Sequence, residues 1–359
     1  MRILFASGFQ HLPQMYGGLM SNTHELALEL SNRGHEVSVV CGLSKEGLVG
    51  LQTRLLNRLS KRNTVHDSFL GYRVYRRWRV LEAISDIVDC VKPDVAIVQQ
   101  SEAACIARTL TRLSVPVIMY LHDVNFDLVS ESLGELGCID FIANSKFTQR
   151  RYQERFGIKS SVIPPFFRDR LYRTRTRPEA VTFINPQHVK GSDIALALVE
   201  ACSEIPFNFV ESWALPREQH ALLMERAKTC SNLTLSRPTM NVKRYYSRSR
   251  IVLMPSRCEE AWGRVASEAQ FSGIPVIGSD RGGLPEAIGA GGVLLDPDGP
   301  IDAWIDALRK LWHDKSHHDE LSAAALAHSR RREINPDVQV SALVRLMNRA
   351  VGRSALATA

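Results

Sequence analysis

The strongest constraint on the fold is an alternation of strand and helix signals that runs through the chain twice. In the first run, short apolar segments bounded by turn residues predict strands at 2–7, 35–41, 94–99, 117–121 and 141–144. Helical periodicity predicts helices between them, at 19–33, 80–91, 103–113 and 146–156. Such alternation is typical of a doubly wound parallel sheet. Residues 1–165 are therefore predicted to form one α/β domain.

A second alternation follows a segment rich in arginine and proline, which predicts a linker at 166–179. Strands are expected at 181–185, 207–211, 233–235, 251–254 and 276–278, so 180–335 is predicted to be a second α/β domain. Proline at 336 breaks the preceding helical pattern, and 336–352 is predicted to be a final helix. A chain of 359 residues has the length of two such domains, at about 100 to 200 residues each.

The segment 255–286 carries the clearest chemical pattern, with Glu260 and Glu268 on either side of Gly263. A buried strand is expected to end just before these residues, and a helix to begin near Trp262 or Gly263. In an open parallel sheet this is the edge where ligands bind, and a helix N-terminus favours anions. Two carboxylates there could accept hydrogen bonds from the hydroxyls of a sugar and a ribose. Alternatively, Arg264 and Glu268 are a surface ion pair contributing about 0.3 kcal/mol.

The segment resembles the E-x7-E motif of retaining glycosyltransferases of the GT-B architecture, and in particular glycosyltransferase family 4 (group 1). AWG stands where the family often has PFG, and SEAQFSGIPVIGSDRGGLPEAI is close to its EAMASGxPVIASxxGGxxE pattern. The resemblance implies two facing Rossmann-like domains with parallel doubly wound sheets. The N-terminal domain would bind the acceptor, the C-terminal domain the nucleotide sugar, and the last helix would cross back to the N-terminal domain.

The resemblance also implies a reaction: transfer of a sugar, with retention, from a nucleotide-diphosphate donor to a glycan, a lipid-linked or a small-molecule acceptor. Neither a metal nor another cofactor is expected, and polysaccharide or glycoconjugate synthesis is the expected setting. An epimerase or a phosphorylase can share this fold. A catalytically degenerate scaffold that binds a partner is the alternative from a different class.

Two glycines and a histidine are the candidate residues of the first domain. Gly17 and Gly18 follow the first strand and precede a helix, where paired glycines permit close approach of a phosphate. The loop lacks the G-x-G-x-x-G turn, which disfavours nicotinamide binding. His122 ends the strand 117–121, and the resemblance implies that it lines the donor-sugar pocket as a hydrogen-bond partner. The alternatives are a simple turn and a structural histidine.

In the second domain, the resemblance implies that Lys190 neutralises the departing diphosphate, while Glu260 holds sugar hydroxyls and Glu268 the ribose. The family has an arginine five residues before this lysine, and this chain has Asn185. Arg257 or Arg264 could supply the missing charge. The complete prediction assigns catalysis to His122, Lys190 and Glu260, and donor binding to Gly17, Gly18, Asn185, Arg257, Trp262, Gly263, Arg264, Val265 and Glu268.

The net charge of +7 suggests an anionic partner, and much of the positive charge lies at 51–79. There, eight arginines and lysines face one acid, Asp67, with leucines interleaved. A basic amphipathic helix of this kind predicts binding to an anionic membrane surface, and a solvated loop is the alternative. No nucleic-acid-binding module is recognisable, so nucleic acid is not an expected partner. With no apolar run of about 20 residues and no signal-peptide pattern, we expect a cytoplasmic protein, either free or peripheral at the inner face of the membrane.

Overall fold

The computed structural model describes residues 1–45, 47–59, 65–126, 133, 136, 139–212, 215–239 and 241–358. The chain divides into two compact units, one formed by Met1–Phe166 with Pro336–Ala359 and the other by Phe167–Asn335. Each unit is built on a parallel sheet with helices packed against it.

The sheet of the first unit has the strand order β3-β2-β1-β4-β5-β6-β7. Its strands are β1 Arg2–Gln10, β2 Glu36–Gly42, β3 Arg73–Arg77, β4 Val95–Gln99, β5 Val117–Leu121, β6 Asp140–Ala143 and β7 Ser161–Val162. Its connecting helices are α1 Gly18–Asn32, α2 Gly47–Leu59, α3 Val80–Val91, α4 Ala103–Arg112 and α5 Lys146–Phe156. The chain leaves β1 toward one edge and resumes at β4 on its other side. The sheet order therefore reverses between β1 and β4.

The sheet of the second unit has the order β10-β9-β8-β11-β12-β13. Its strands are β8 Ala180–Ile184, β9 Phe207–Val210, β10 Leu233–Ser236, β11 Ser249–Met254, β12 Val276–Ser279 and β13 Gly292–Leu295. Its helices are α6 Asp169–Tyr172, α7 Ser192–Ala201, α8 Arg217–Thr229, α9 Lys243–Tyr246, α10 Arg264–Gln270, α11 Leu284–Ile288, α12 Ile301–His313 and α13 Lys315–His328. Here the order reverses between β8 and β11. In open α/β sheets such a reversal opens a crevice at the carboxyl ends of the strands, where ligands bind.

The last helix, α14 Pro336–Thr358, packs against the first sheet. Val340, Leu343 and Met347 lie fully buried in the same apolar cluster as Ile3 and Phe5 of β1. The side-chain amide of Gln339 donates to the carbonyl oxygens at 164 and 165, at 2.7 and 3.1 Å. The end of the chain is thus part of the first unit.

The strands expected from sequence are present, with ends that differ from the predicted bounds by three residues or fewer. Three further strands, β3, β7 and β13, were not predicted. β3 corrects the expectation of one basic helix at 51–79, because only α2 is helical there and Arg76 and Arg77 of β3 are buried. Lys61 and Arg62 of that region lie outside the described residues, as does the side chain of Arg58.

The segment predicted as a linker, 166–179, belongs to the second unit from Phe167 onward, whereas Phe166 belongs to the first. Phe167 and Tyr172 are buried in an apolar cluster with Phe271 of that unit. The rings of Tyr172 and Phe271 are stacked with centroids 6.3 Å apart. These aromatic side chains have too much apolar surface to remain in solvent, so they anchor the start of the second unit.

Candidate functional site

Lys190 and Glu260 form an ion pair at the carboxyl edge of the second sheet. Lys190 follows β8 and Glu260 follows β11, which are the two strands where the sheet order reverses. The Lys190 Nζ atom donates to Glu260 Oε1 at 2.7 Å, and the Ser256 hydroxyl donates to the same oxygen at 2.9 Å. Both charged side chains are 17% exposed. The pair is therefore mostly desolvated, but it retains some exposed surface at which a ligand can bind.

Backbone hydrogen bonds hold the loop that follows β8 against the loop that follows β11. The backbone N–H groups of Arg257 and Cys258 both donate to the carbonyl oxygen of Val189, at 3.1 Å. Gly191 has φ of 81°, and a Cβ atom at this position would stand 1.9 Å from the carbonyl oxygen of Pro255. Only glycine fits such an approach without strain. On the other side, the N–H of Gly283 donates to the Glu260 carbonyl at 2.6 Å.

Arg257 connects the loop that follows β11 to α7 and to the residues that follow β13. Its Nε atom donates to Asp193 Oδ2 at 3.1 Å, and its Nη1 atom to the Pro297 carbonyl at 2.6 Å and to Asp298 Oδ1 at 3.1 Å. Burial raises the pKa of Asp193, but hydrogen bonding and the charge of Arg257 outweigh burial and lower it. The guanidinium of Arg257 is thus engaged by two carboxylates, and its role as replacement for the family arginine stays a prediction.

Glu268 is buried and has two partners in the second unit. Its Oε2 atom accepts from the Tyr246 hydroxyl at 2.9 Å, and its Oε1 atom lies 3.3 Å from Arg264 Nε. Burial, followed by the Glu268 charge, raises the pKa of Tyr246 well above its usual value. Arg264 also lies 4.3 Å above the Phe167 ring and donates to the Tyr172 hydroxyl at 2.8 Å. Arg264 and Glu268 are therefore a buried pair, not the surface pair considered from sequence.

The three residues at the start of α10 have different surroundings. Gly263 precedes the helix with φ of 97°, and a Cβ atom would stand 2.4 Å from the Leu284 side chain. Val265 is half-buried against the core. Trp262 is buried, with its indole N–H donating to the Ser267 hydroxyl at 3.1 Å. The ring of Trp262 therefore packs in the core, and the assignment of Trp262 to donor binding stays a prediction.

Asn185 lies just beyond β8 in a left-handed conformation, with φ of 64°. The residue is 7% exposed, and its Oδ1 atom is buried with no hydrogen-bond partner among the described residues. Its backbone is held firmly, since its N–H donates to the Val210 carbonyl at 2.8 Å. The position of the family arginine thus holds a neutral amide with an unused acceptor.

Gly17 and Gly18 lie where they were expected, at the start of α1. Helix α1 begins at Gly18, no side chain caps its N-terminus, and its first turn contains no acidic residue. The first N–H groups of a helix have no partner within the helix and attract anions. This end of α1 can therefore receive a phosphate.

A hydrogen-bonded chain joins His122 to the reversal point of the first sheet. The Thr23 hydroxyl donates to Gln99 Oε1 at 2.7 Å, and Gln99 Nε2 lies 3.0 Å from His122 Nε2. Because the Gln99 amide nitrogen is the donor in this arrangement, His122 Nε2 is the acceptor and must be unprotonated. The rings of His122 and Tyr120 lie 4.0 Å apart.

Sequence reasoning missed Thr23 and Gln99. The available signal was the position of Gln99 as the last residue of a buried strand next to β1. Asp123 directly follows His122 in the sequence. The structure shows Asp123 accepting from the Gln100 side-chain amide at 2.7 Å and from the backbone N–H of Asn125 at 2.9 Å.

The described side chains meet in groups within each unit. In the first unit, these are the N-terminus of α1 and the chain that ends at His122. In the second unit, they are the Lys190 pair and the Glu268 network. In the part of the chain that the structure describes, no helix is long and apolar enough to cross a membrane.

Solved structures identify the fold of the chain. The chain matches sucrose-phosphate synthase from Thermosynechococcus elongatus over 98% of its length and 99% of that chain, with 16% identity and a TM-score of 0.71. It matches Anabaena HepE, solved in complex with UDP-glucose, over 99% of both chains, with 16% identity and a TM-score of 0.72. The chain therefore has the GT-B fold, as predicted.

Two family models match the sequence and identify its family. The model described as "Glycosyltransferase Family 4" matches residues 16–169, and the model described as "Glycosyl transferases group 1" matches residues 222–328. The chain belongs to this family of group 1 glycosyltransferases.

Curated relatives match over a shorter stretch. The D-inositol 3-phosphate glycosyltransferase of Corynebacterium diphtheriae is 40% identical over 95 residues, which is 26% of this chain and 22% of that protein. The protein of the same name from Paenarthrobacter aurescens is 41% identical over 81 residues, 22% of this chain and 19% of that protein. The chain thus matches about a fifth of the length of these relatives.

Proposed function

We propose that this protein is a retaining, metal-independent glycosyltransferase that moves a sugar from a nucleotide-diphosphate donor to an acceptor. The observation that carries the proposal is the Lys190–Glu260 pair at the reversal point of the second sheet. A cation and a carboxylate 2.7 Å apart at a ligand-binding edge match the two parts of such a donor, an anionic diphosphate and a sugar rich in hydroxyl groups.

Donor binding would exchange partners within this pair. The diphosphate attracts the ammonium of Lys190, which neutralises the charge that develops on the leaving group. Glu260 is then available to accept hydrogen bonds from sugar hydroxyls, while the Ser256 hydroxyl retains one of its oxygens.

Glu268 would bind the ribose of the donor. Tyr246 and Arg264 hold the carboxylate in a defined position and compensate its burial. Each carboxylate oxygen can accept more than one hydrogen bond, so a ribose diol can be added without loss of these partners. The uncapped N-terminus of α1 would bind a donor phosphate, and His122 a sugar hydroxyl.

Structural neighbours guide the choice of donor. HepE has been solved with UDP and with UDP-glucose, and a TarM variant with UDP and α-GlcNAc-glycerol. These contents support uridine diphosphate sugars as the first donors to test. The curated relatives, named D-inositol 3-phosphate glycosyltransferases, support a small cyclitol or sugar as one class of acceptor.

A second candidate function, a scaffold that binds nucleotide without transfer, has one observation in its favour. A neutral amide, Asn185, replaces the family arginine, and Arg257 is held by Asp193 and Asp298. Lys190 would then be the main side-chain cation for the diphosphate in this unit. Nucleotide binding without release of nucleotide on addition of acceptor would identify this function.

The exposed face of α2 favours a lipid-linked acceptor in a glycoconjugate pathway. Leu48, Leu51 and Leu55 are 86%, 60% and 59% exposed, and Arg54 lies on the same helix. An amphipathic helix with exposed leucines and basic residues binds anionic lipid surfaces. Flotation with vesicles of anionic lipid at low salt tests this, and Leu51→Asp should reduce binding. Vesicles of neutral lipid are the control.

The decisive experiment measures thermal stability against UDP, GDP, ADP, CMP and their sugar conjugates, with and without EDTA. A ligand that binds the native state raises stability by mass action, about 2.7 kcal/mol at 100 times its Kd. We expect a shift with one nucleotide family, unchanged by EDTA, and release of that nucleotide when acceptor is added. Loss of the shift in EDTA would contradict metal independence.

Two variants test the assigned roles. Glu268→Ala should weaken nucleotide binding, because it removes the acceptor for the ribose diol. Lys190→Ala should reduce turnover more than nucleotide affinity. Lys310→Ala, on the exposed side of α12, is the matched control and should change neither. Unchanged nucleotide affinity in Glu268→Ala would remove Glu268 from the site.

A further inference from the structure

An arginine-rich segment at the start of the second unit is not used by the functions assigned above. Residues 168–178 contain five arginines and one acid, Asp169. Although this segment was predicted to be part of a linker, its backbone is fixed to the second unit. The N–H of Thr174 donates to the Ser272 hydroxyl at 2.9 Å, and the N–H of Arg177 donates to the Ser247 carbonyl at 2.6 Å. The segment therefore follows one defined course over the surface of this unit.

Three of these arginines point to solvent in a regular row. Arg173, Arg175 and Arg177 are exposed, whereas Thr174 and Thr176 between them are half-buried. This alternation has the two-residue period of an extended chain, in which side chains two positions apart lie on the same face, about 7 Å from each other. The backbone of Arg173 is extended, with φ of −63° and ψ of 127°. Arg173, Arg175 and Arg177 thus form an arginine row.

Two further arginines lie beside the arginine row. The carbonyl of Arg248 accepts from the N–H of Glu179 at 2.9 Å. The carbonyl of Arg244 accepts from the hydroxyl of Ser247, the residue that pairs with Arg177, at 3.1 Å. Arg244 and Arg248 are both exposed. Their charges therefore add to the positive potential around the row.

Acidic side chains reach only the two ends of this surface. Asp169 Oδ2 lies 3.9 Å from Arg173 Nη1, and Glu179 Oε2 accepts from Arg248 Nε at 2.7 Å. In the part of the chain that the structure describes, Arg175 and Arg177 have no carboxylate partner. Like charges held this close repel each other, and an anionic partner would relieve the repulsion.

The arginine row lies at the opposite edge of the second sheet from the Lys190–Glu260 pair. The row precedes β8, and Ser247 beside it precedes β11, so both lie at the amino ends of these parallel strands. Lys190 and Glu260 follow the same two strands, at their carboxyl ends. A partner on the row would leave the donor-binding edge open, so its binding does not depend on the proposed function.

The surroundings of the row distinguish among anionic partners. Proteins that bind single-stranded nucleic acid stack the bases on exposed aromatic rings, but Tyr172 and Tyr245 beside the row are buried. A segment that lies in a membrane surface presents an apolar face. Leu171 is the only large apolar side chain exposed between 168 and 179, a range that the structure describes in full. Neither nucleic acid nor a lipid surface is therefore favoured.

The repeat of the row matches that of another extended polypeptide. A peptide with an acidic residue at every second position presents its carboxylates on one face, with the same repeat of about 7 Å. A guanidinium group binds a carboxylate through two parallel N–H···O hydrogen bonds. We propose that the arginine row binds an extended acidic segment of a partner protein, in which aspartate or glutamate occupies alternate positions and one carboxylate pairs with each arginine.

The test compares two labelled peptides with the same numbers of glutamate and serine residues. Glutamate occupies every second position of one peptide and every third position of the other. An extended peptide of the second kind can place at most one carboxylate on the matching face within the row. Fluorescence anisotropy with the intact protein is measured at about 0.1 M ionic strength, where the Debye length of about 10 Å screens distant charges. The alternating peptide gains two ion pairs and should bind about 2- to 30-fold more tightly.

A double variant tests the row itself. Arg175→Gln with Arg177→Gln should weaken binding of the alternating peptide about 2- to 30-fold and remove the preference between the two peptides. Arg330→Gln with Arg332→Gln is the matched control, because it removes two exposed arginines of the same unit at the same spacing. The control should bind both peptides as the unaltered protein does. Both double variants should keep the midpoint of unfolding, since all four side chains are exposed.

Three outcomes would overturn the proposal: no binding of the alternating peptide, equal affinity for the two peptides, or an equal loss in both double variants. Vesicles of anionic lipid and a single-stranded oligonucleotide are measured in parallel. If either binds more tightly than the alternating peptide and loses affinity in the Arg175 and Arg177 variant, the row belongs to that partner and the proposal is wrong. The nucleotide thermal shift of the same variant should be unchanged, and it reports separately on the proposed function.

Discussion

Replacing Gly191 by alanine should separate the two loops that carry Lys190 and Glu260. Gly191 has φ of 81°, and the added Cβ atom would stand 1.9 Å from the Pro255 carbonyl oxygen and 2.7 Å from its carbon. Real contacts of this type are rarely shorter than about 3.2 Å, so the loops must move apart by about 1.3 Å. The distance from Lys190 Nζ to Glu260 Oε1, now 2.7 Å, would then approach about 4 Å, beyond hydrogen-bonding range.

The cost has two parts. An L-residue in the left-handed region costs about 1 to 2 kcal/mol, and overpacking adds about 1 to 3 kcal/mol. Gly191→Ala should therefore reduce the free energy of unfolding of the second unit by about 2 to 5 kcal/mol. Donor binding should also weaken, because Lys190 and Glu260 would lie too far apart to contact the diphosphate and the sugar of the same donor.

The matched control is Gly34→Ala. Gly34 has φ of 84°, close to that of Gly191, but no atom lies within 4 Å of its added Cβ. Gly34→Ala should reduce the free energy of unfolding only by the cost of the left-handed backbone, about 1 to 2 kcal/mol, and nucleotide binding should remain normal. Urea denaturation, read for the unit that carries each substitution, and nucleotide thermal shifts measure both effects. If Gly191→Ala destabilises no more than Gly34→Ala and keeps full nucleotide binding, the reasoning about close loop contact is wrong.

Three further predictions concern buried polar groups. Burial, assisted by the charge of Arg76, lowers the pKa of His11 to about 3, so below pH 6.5 the unfolded chain takes up a proton that the native state does not. The first unit should lose up to about 1.4 kcal/mol per pH unit between pH 6.5 and pH 3, and His11→Gln should flatten this slope in urea denaturation. Arg76→Met should cost about 3 to 5 kcal/mol, because it removes the hydrogen bonds that Arg76 donates to the Asp67 carboxylate and to the Leu12 carbonyl; Asp67→Asn in addition should recover part of the loss. Glu268→Gln should cost about 3 kcal/mol by leaving buried Arg264 without its counter-ion, and a normal midpoint of unfolding would contradict this pairing.

Much of the fold was readable from the sequence because parallel strands buried on both faces leave long apolar runs. The segment at 251–254 is an example of such a run. Helical periodicity was equally clear at 80–91 and 146–156, which match α3 and α5 residue for residue. Strand β3 was not predicted from the sequence, because three of its five residues are arginines. Two of these, Arg76 and Arg77, are buried through hydrogen bonds to carbonyl oxygens, and Arg76 also pairs with Asp67; no local pattern of charge reveals such contacts.

The candidate site, like the fold, could be predicted only in part. The sequence alone determined the fold class, the place of Lys190 and Glu260 beyond strand ends and the place of Glu268 on the following helix, since these follow from local periodicity and motif spacing. Tertiary structure decided which charges meet. It joined Lys190 to Glu260 across two loops, and it buried Trp262 and the Arg264–Glu268 pair. These outcomes depend on contacts between residues up to about a hundred positions apart, and the free energy of such contacts depends on burial and distance, which a one-dimensional pattern does not contain.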